Sequence, residues 1–228
     1  MGVVISKPAI NLREQLTELK ATQGYEERQF HFDNLVTNGT FDTDLTGWTT
    51  GGSDGGSITQ NSGVADIVGN SYLAQQLTGL TAGATYQITA SVTETNSQGS
   101  IRIGTSENVG DLYDSPTFSS ATEYSTYVVP AGSGLWVTIK NEAGIGVTTD
   151  YSFWDNISVY EVDPNDSNKV IHTMPKGWKP LHVFEDGALQ REGSAYDYTV
   201  EYDGFNYIVK ETVAPVAPYS TTVIGVRA

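Results

Sequence analysis

A chain of 228 residues has room for one substantial domain with smaller attachments. Its 27 acidic residues outweigh 12 basic ones, a net charge of −15 at pH 7 that argues against a phosphate-neutralising nucleic-acid surface or an anionic membrane. Without cysteine there is no disulfide, thiol nucleophile or thiolate metal site, and no stretch reaches the ~18 apolar residues of a membrane helix.

In chain order, Met1 to Ser6 fits the N-myristoylation template, but no basic cluster follows and one acyl chain anchors weakly. The competing reading is an apolar extended arm ending at Lys7-Pro8. The first ten residues lack the long apolar core of a secretory signal. Asn11 and Glu14 are spaced as a capping box, and Leu12, Leu16 and Leu19 form a single apolar stripe. The resulting helix, ending near Lys20, is too short to stand alone, so its leucines must dock on something. Ala21 to Asp33 reads as a linker. Residues 1–33 are therefore expected to be an anchor.

A central domain is expected over 34–162. Asn38-Gly39 is a strong turn signal, with Leu35, Phe41, Leu45 and Trp48 as apolar anchors around it. Thr49 to Gly56 reads as a surface loop. Strands are predicted at Val64 to Val68, Tyr72 to Leu77, Tyr86 to Val92, around Ile101 and Ile103, at Glu123 to Val129, and at Leu135 to Ile139. In the last of these Leu135, Val137 and Ile139 face a core while Trp136, Thr138 and Lys140 face out. The closing strand, Tyr151 to Tyr160, is expected to alternate Phe153, Asp155, Ile157 and Val159 on one face with Ser152, Trp154, Asn156, Ser158 and Tyr160 on the other.

The pattern Asn38-Gly-x-Phe41-Asp-x-x-Leu45-x-Gly-Trp48, with the closing Trp154-Asp-Asn-Ile-Ser-Val-Tyr-Glu161, resembles family 4/9 carbohydrate-binding modules. Tyr72 to Thr89 matches their usual strand, turn and strand at mid-domain. The resemblance covers roughly 34–162 and implies an all-β fold, a two-sheet jelly roll. It also implies a structural calcium between the first and last strands. Here the candidates are Asp155, on the apolar face by parity, and the Asn38 region with nearby carbonyls. The alternative is that Asp155 caps backbone N–H groups. Trp136 and Trp154, beside Arg102, Gln87 and Asn156, have the flat rings and polar groups of a sugar site. The same residues equally suit a face covered by a neighbouring segment or subunit.

After a polar linker at 163–172, residues 173–228 read as a small β domain. Strands are expected at Trp178 to Phe184, Leu189 to Glu192, Tyr196 to Tyr202, Asn206 to Glu211 and Thr221 to Val226. At about fifty residues its core would be thin, so it should lean on the jelly roll or form an oligomer. Ile10 to Leu19 resembles the N-termini of bacteriophage virion structural proteins, and Val183 to Phe205 resembles small β domains of phage tail and head fibres. Those resemblances imply a virion-surface protein, either a capsid decoration (cement) protein or a head or tail fibre component. The N-terminal segment would hold a shell or tail protein, and the chain would act as a symmetric homo-oligomer. A polysaccharide-binding role for host attachment is the alternative. His31, His172 and His182 are scattered and no nucleophile elbow, His-Glu-x-x-His or phosphate loop is present, so catalysis is not expected.

Overall fold

The computed structural model describes residues 27–52, 55–144, 146–163, 166–185, 188–212 and 220–228, and every regular element among them is a β-strand. Leu12, Leu16 and Leu19 lie outside the described residues. The strands are β1 (Glu27–Asp33), β2 (Thr49–Gly52), β3 (Ser57–Asn61), β4 (Val64–Val68), β5 (Ser71–Thr78) and β6 (Thr85–Thr95). Next come β7 (Gly99–Gly104), β8 (Tyr113–Asp114), β9 (Thr122–Val128), β10 (Gly134–Asn141) and β11 (Tyr151–Asp163). The chain ends with β12 (Asp166–Thr173), β13 (Trp178–Glu185), β14 (Ala188–Leu189), β15 (Tyr198–Tyr202), β16 (Tyr207–Glu211) and β17 (Ser220–Arg227).

The central domain is a two-sheet jelly roll. One sheet runs β2-β5-β10-β7-β8, and the facing one places β9, β6, β11, β4 and β3 side by side. Alternation along the strands produces the core between them. Leu135, Val137 and Ile139 of β10 meet Ile101 and Ile103 of β7, Tyr86, Ile88 and Ala90 of β6, and Ile67 of β4, all essentially sealed from solvent. Period-two patterning predicted this face correctly. The loop expected at Thr49 to Gly56 instead begins with edge strand β2, whose Gly51 and Gly52 pair with Tyr72 and Ser71. Gly51 is needed there, since a Cβ would sit 2.2 Å from the Tyr72 ring.

Both expected linkers contain strands. β1 occupies the end of the Ala21 to Asp33 stretch and pairs antiparallel with β17, from Glu27 opposite Val226 to Asp33 opposite Ser220. β12 occupies most of 163–172 and bridges β11 to β16. The terminal unit is thus built from both ends of the chain, as a sheet β1-β17-β13-β14 and the strands β15-β16-β12. Its core is Met174, Trp178, Val183, Tyr198, Val209 and Val223. The jelly roll is inserted between β1 and β12. A unit with too thin a core is completed by a strand from the opposite end of the sequence and by pairing onto β11.

Candidate functional site

The 13-residue β11 organises the site. One edge pairs with β6 along most of its length, and the other edge is filled in three pieces. β4 takes Tyr151 to Trp154, and β12 takes Val162 and Asp163. Between them lies the opening stretch of the domain. The Asn34 amide donates to Ile157 O at 2.9 Å while its Oδ1 accepts from Val159 N at 2.9 Å. Leu35 N donates to Val159 O at 3.1 Å and Ile157 N to Gly39 O at 2.9 Å. The first and last segments of the domain are therefore clasped together.

That clasp requires a bulge. The β11–β6 register shifts between Asp155 and Ser158, and Asn156 adopts a left-handed φ of 53°. Strict alternation fails across it. Ile157 and Val159 face the core as expected, but before the bulge the inward residues are Ser152 and Trp154 rather than Phe153 and Asp155. Trp154, a candidate platform, is fully buried, with its Nε1–H donating to Ser152 Oγ at 2.8 Å and its ring edge-on to Phe118. It is a core residue and not part of an exposed site. Asp155 lies on the outer face.

The Asp155 carboxylate accepts from one backbone N–H and the side-chain amide of Asn156, at 2.7 and 3.2 Å. Burial pushes its pKa up; the Asn156 bond works against this, and the charges of Asp42 and Glu123 add to the rise. Asn38 does not join it. Its amide is spent inside its own loop, on Asp44 O at 2.9 Å, Asp44 Oδ1 at 3.1 Å and Thr46 O at 3.3 Å. Among the described residues no three carboxylate or imidazole side chains converge on one point. Of the predicted ion ligands only Asp155 remains, with the charge of Asp42 near enough to be felt by it.

The remaining sugar-site candidates fall on two separate sheets. Gln87 lies on β6, donating to Ser125 Oγ at 3.2 Å, and Asn156 sits in the β11 bulge. Trp136 and Arg102 lie on the opposite sheet, where Trp136 is flanked by Gln76 and Gly104, and Arg102 by Thr138 and Asp114. Each nitrogen of Arg102 is engaged, by Asn108 Oδ1 at 3.1 Å, Glu142 Oε1 at 3.0 Å and Asp114 Oδ1 at 3.4 Å. Burial works against the charge of Glu142, but hydrogen bonds from Lys140 and Ser100 and the Arg102 charge outweigh it and hold its pKa down.

The sequence reading missed what covers this face. Residues 105–111 fold back over the sheet, with Asn108 N donating to Thr138 Oγ1 at 3.2 Å and Tyr72 donating to Glu107 Oε1 at 3.0 Å. The neck of the loop is closed by Asp111, which accepts from Thr105 N at 2.8 Å and Thr105 Oγ1 at 2.6 Å. Gly104 lets the strap lie close, because a Cβ there would meet Val109 O at 2.0 Å. Thr138, outward by parity, is consequently buried. Trp136 stays partly exposed beside exposed Gln76, which leaves a small platform at the edge of the strap.

No family model matches the chain, and no curated protein matches it. Solved structures resemble part of the chain at low identity. A CBM4 structure is 14% identical, over 54% of this chain and 97% of that one, with a TM-score of 0.42. The N-terminal cellulose-binding domain of Cellulomonas fimi β-1,4-glucanase C is 14% identical over 56% and 97%, with a TM-score of 0.43. The enzymatically active domain of bacteriophage CBA120 tailspike protein 4 is 16% identical over 55% of this chain but only 21% of that one, with a TM-score of 0.39. The jelly-roll assignment made above rests on strand order and the two-sheet core.

Proposed function

We propose that the chain is a non-enzymatic structural protein of a bacteriophage particle, a capsid decoration protein held by its N-terminal segment and displaying the jelly roll as an insertion. The observation that carries this reading is the path of the chain. β1 pairs with β17 in the terminal unit, and the jelly roll departs from that base between β1 and β12. Attachment at one end and display at the other need this separation. The self-satisfied Arg102–Glu142–Lys140 face, closed by the strap, also suits a scaffold better than an open polysaccharide groove.

A second reading is favoured by one observation: Trp136 keeps part of its ring exposed next to the free-standing Gln76. In that reading the protein is a fibre component that stacks a host-surface sugar on Trp136. Copy number separates the two. Quantitative mass spectrometry of purified particles is expected to give this chain at a ratio comparable to the major shell protein. A handful of copies per particle would move it to a fibre, and absence from particles would defeat both versions.

The cation at Asp155 is part of the same proposal. With its pKa raised, Asp155 contributes fully to metal-free stability only below its unfolded pKa of about 3.9, and that contribution is lost as pH rises through the folded value. At neutral pH, Asp155→Asn should therefore raise the melting temperature of the chelator-treated protein by a few degrees. Calcium should stabilise the wild type and leave the variant unchanged. An unmoved wild-type melting curve on adding calcium would defeat the cation, and a lower metal-free melting point in the variant would make Asp155 a backbone cap and nothing more.

A further inference from the structure

We propose that the cleft where β11 passes from the jelly roll to β12 receives a lysine side chain of a partner protein, with Glu161 as its counter-charge. The cleft measures about 380 Å³ and is walled by Leu35, Leu80, Tyr86, Tyr160, Glu161 and His172 among others. Leu35, at its rim, is 40% exposed, a large apolar side chain with no cover. Glu161 is half-buried. Its Oε2 accepts from the Tyr86 hydroxyl at 3.1 Å, and that hydroxyl already accepts Thr81 N–H at 2.8 Å.

Among the described residues no lysine or arginine pairs with Glu161. His172 is near enough to ease its charge, but the His172 Nε2 lies 2.8 Å from Glu211 Oε1, which also accepts the Thr221 hydroxyl at 2.7 Å. Burial nonetheless pushes the Glu161 carboxyl above its ordinary range. Among the described residues Glu161 is thus a half-buried carboxylate with only an imidazole near it, in a chain whose net charge is −15. A cation relieves this, and a neutral alkyl group does not.

The shape of the cleft selects among cations. Leu35 and Leu80 accept an aliphatic stem while the carboxylate takes a charge at its tip, as lysine offers. Glu161 has acceptor capacity left beside the bond that its Oε2 takes from Tyr86, and an ammonium at the end of a lysine stem needs a single oxygen. The inference does not depend on whether the partner belongs to a particle.

The test uses the full chain, labelled for amide NMR and titrated with Nα-acetyl-lysine-N-methylamide and with its norleucine counterpart, which has the stem without the charge. The lysine probe is expected to shift the amides of Leu80, Glu161 and Val170 saturably, and the norleucine probe to bind at least about tenfold more weakly. Glu161→Gln, nearly the same shape, should erase that difference. Equal binding of the two probes, unchanged lysine binding in the variant, or no saturable shift would each overturn the proposal. The probe comparison is made on the wild type, so it stands even if the variant folds poorly.

Discussion

Replacing Trp154 by alanine should lower the melting temperature by roughly 10 °C or more, on a loss of about 3–5 kcal/mol. The ring is fully buried, edge-on to Phe118, and so tightly fitted that a Cβ on Gly99 would come within 2.8 Å of it. Truncation leaves a cavity bounded by strands of both sheets, which cannot collapse without breaking the β7–β10 and β11–β4 ladders. It also strands the Ser152 hydroxyl, which now accepts the indole N–H in a buried setting. Trp136→Ala is the natural partner measurement. Its ring is only partly exposed on the outer sheet face, so the melting curve should move by much less than for Trp154→Ala. Thermal unfolding followed by circular dichroism reads both. Equal, small effects would mean that Trp154 is outside the core after all and that the sequence-based alternation was right.

Those two tryptophans also show what the sequence made legible. Along β10 the alternation of Leu135, Val137 and Ile139 against Trp136 is uninterrupted, so period two assigns every face correctly. Along β11 the same rule fails because one residue is withdrawn from the alternation at Asp155–Asn156. Two turn-forming side chains in mid-strand were the available signal, since Asn tolerates the left-handed φ a bulge needs. The base of the molecule was illegible for another reason. Phe30 and Phe32 hint at a strand, but the partner of β1 is β17, nearly the whole chain away, and no local pattern encodes a pairing of that range. The strap over Arg102 was hidden likewise. Nothing in the residues from Thr105 to Asp111 marks a cover, and only the folded sheet shows that Asn108 and Glu107 reach Thr138 and Tyr72. The candidate site therefore survived as separate pieces: Trp136 and Arg102 on one sheet, Gln87 and Asn156 on the other, and Trp154 between them.

Gly39→Ala should be more damaging still, although it adds a single methyl group. A Cβ at this position would lie 2.1 Å from Ile157 O and 3.3 Å from Val36 Cγ1, and the first obstacle is backbone that cannot rotate away. The contact sits at the centre of the clasp. Ile157 N donates to Gly39 O, and Asn34 holds both Ile157 O and Val159 N. Making room means pushing the opening segment off β11, which forfeits those bonds together. Phe41 would be displaced with it. Its ring is fully buried, 5.4 Å from Trp48, and the residue accepts a φ of 50° to reach the core, a strain affordable only while the surrounding turn is fixed. The expected loss lies at or above the ~3 kcal/mol upper end of ordinary overpacking, with the jelly roll losing cooperative unfolding. Gly132→Ala is the control, since its Cβ would meet nothing within 4 Å and its φ is not positive. If Gly39→Ala melts as Gly132→Ala does, the opening stretch is not held against β11 by the clasp. In that case the order of the domain would come from the sheet core alone.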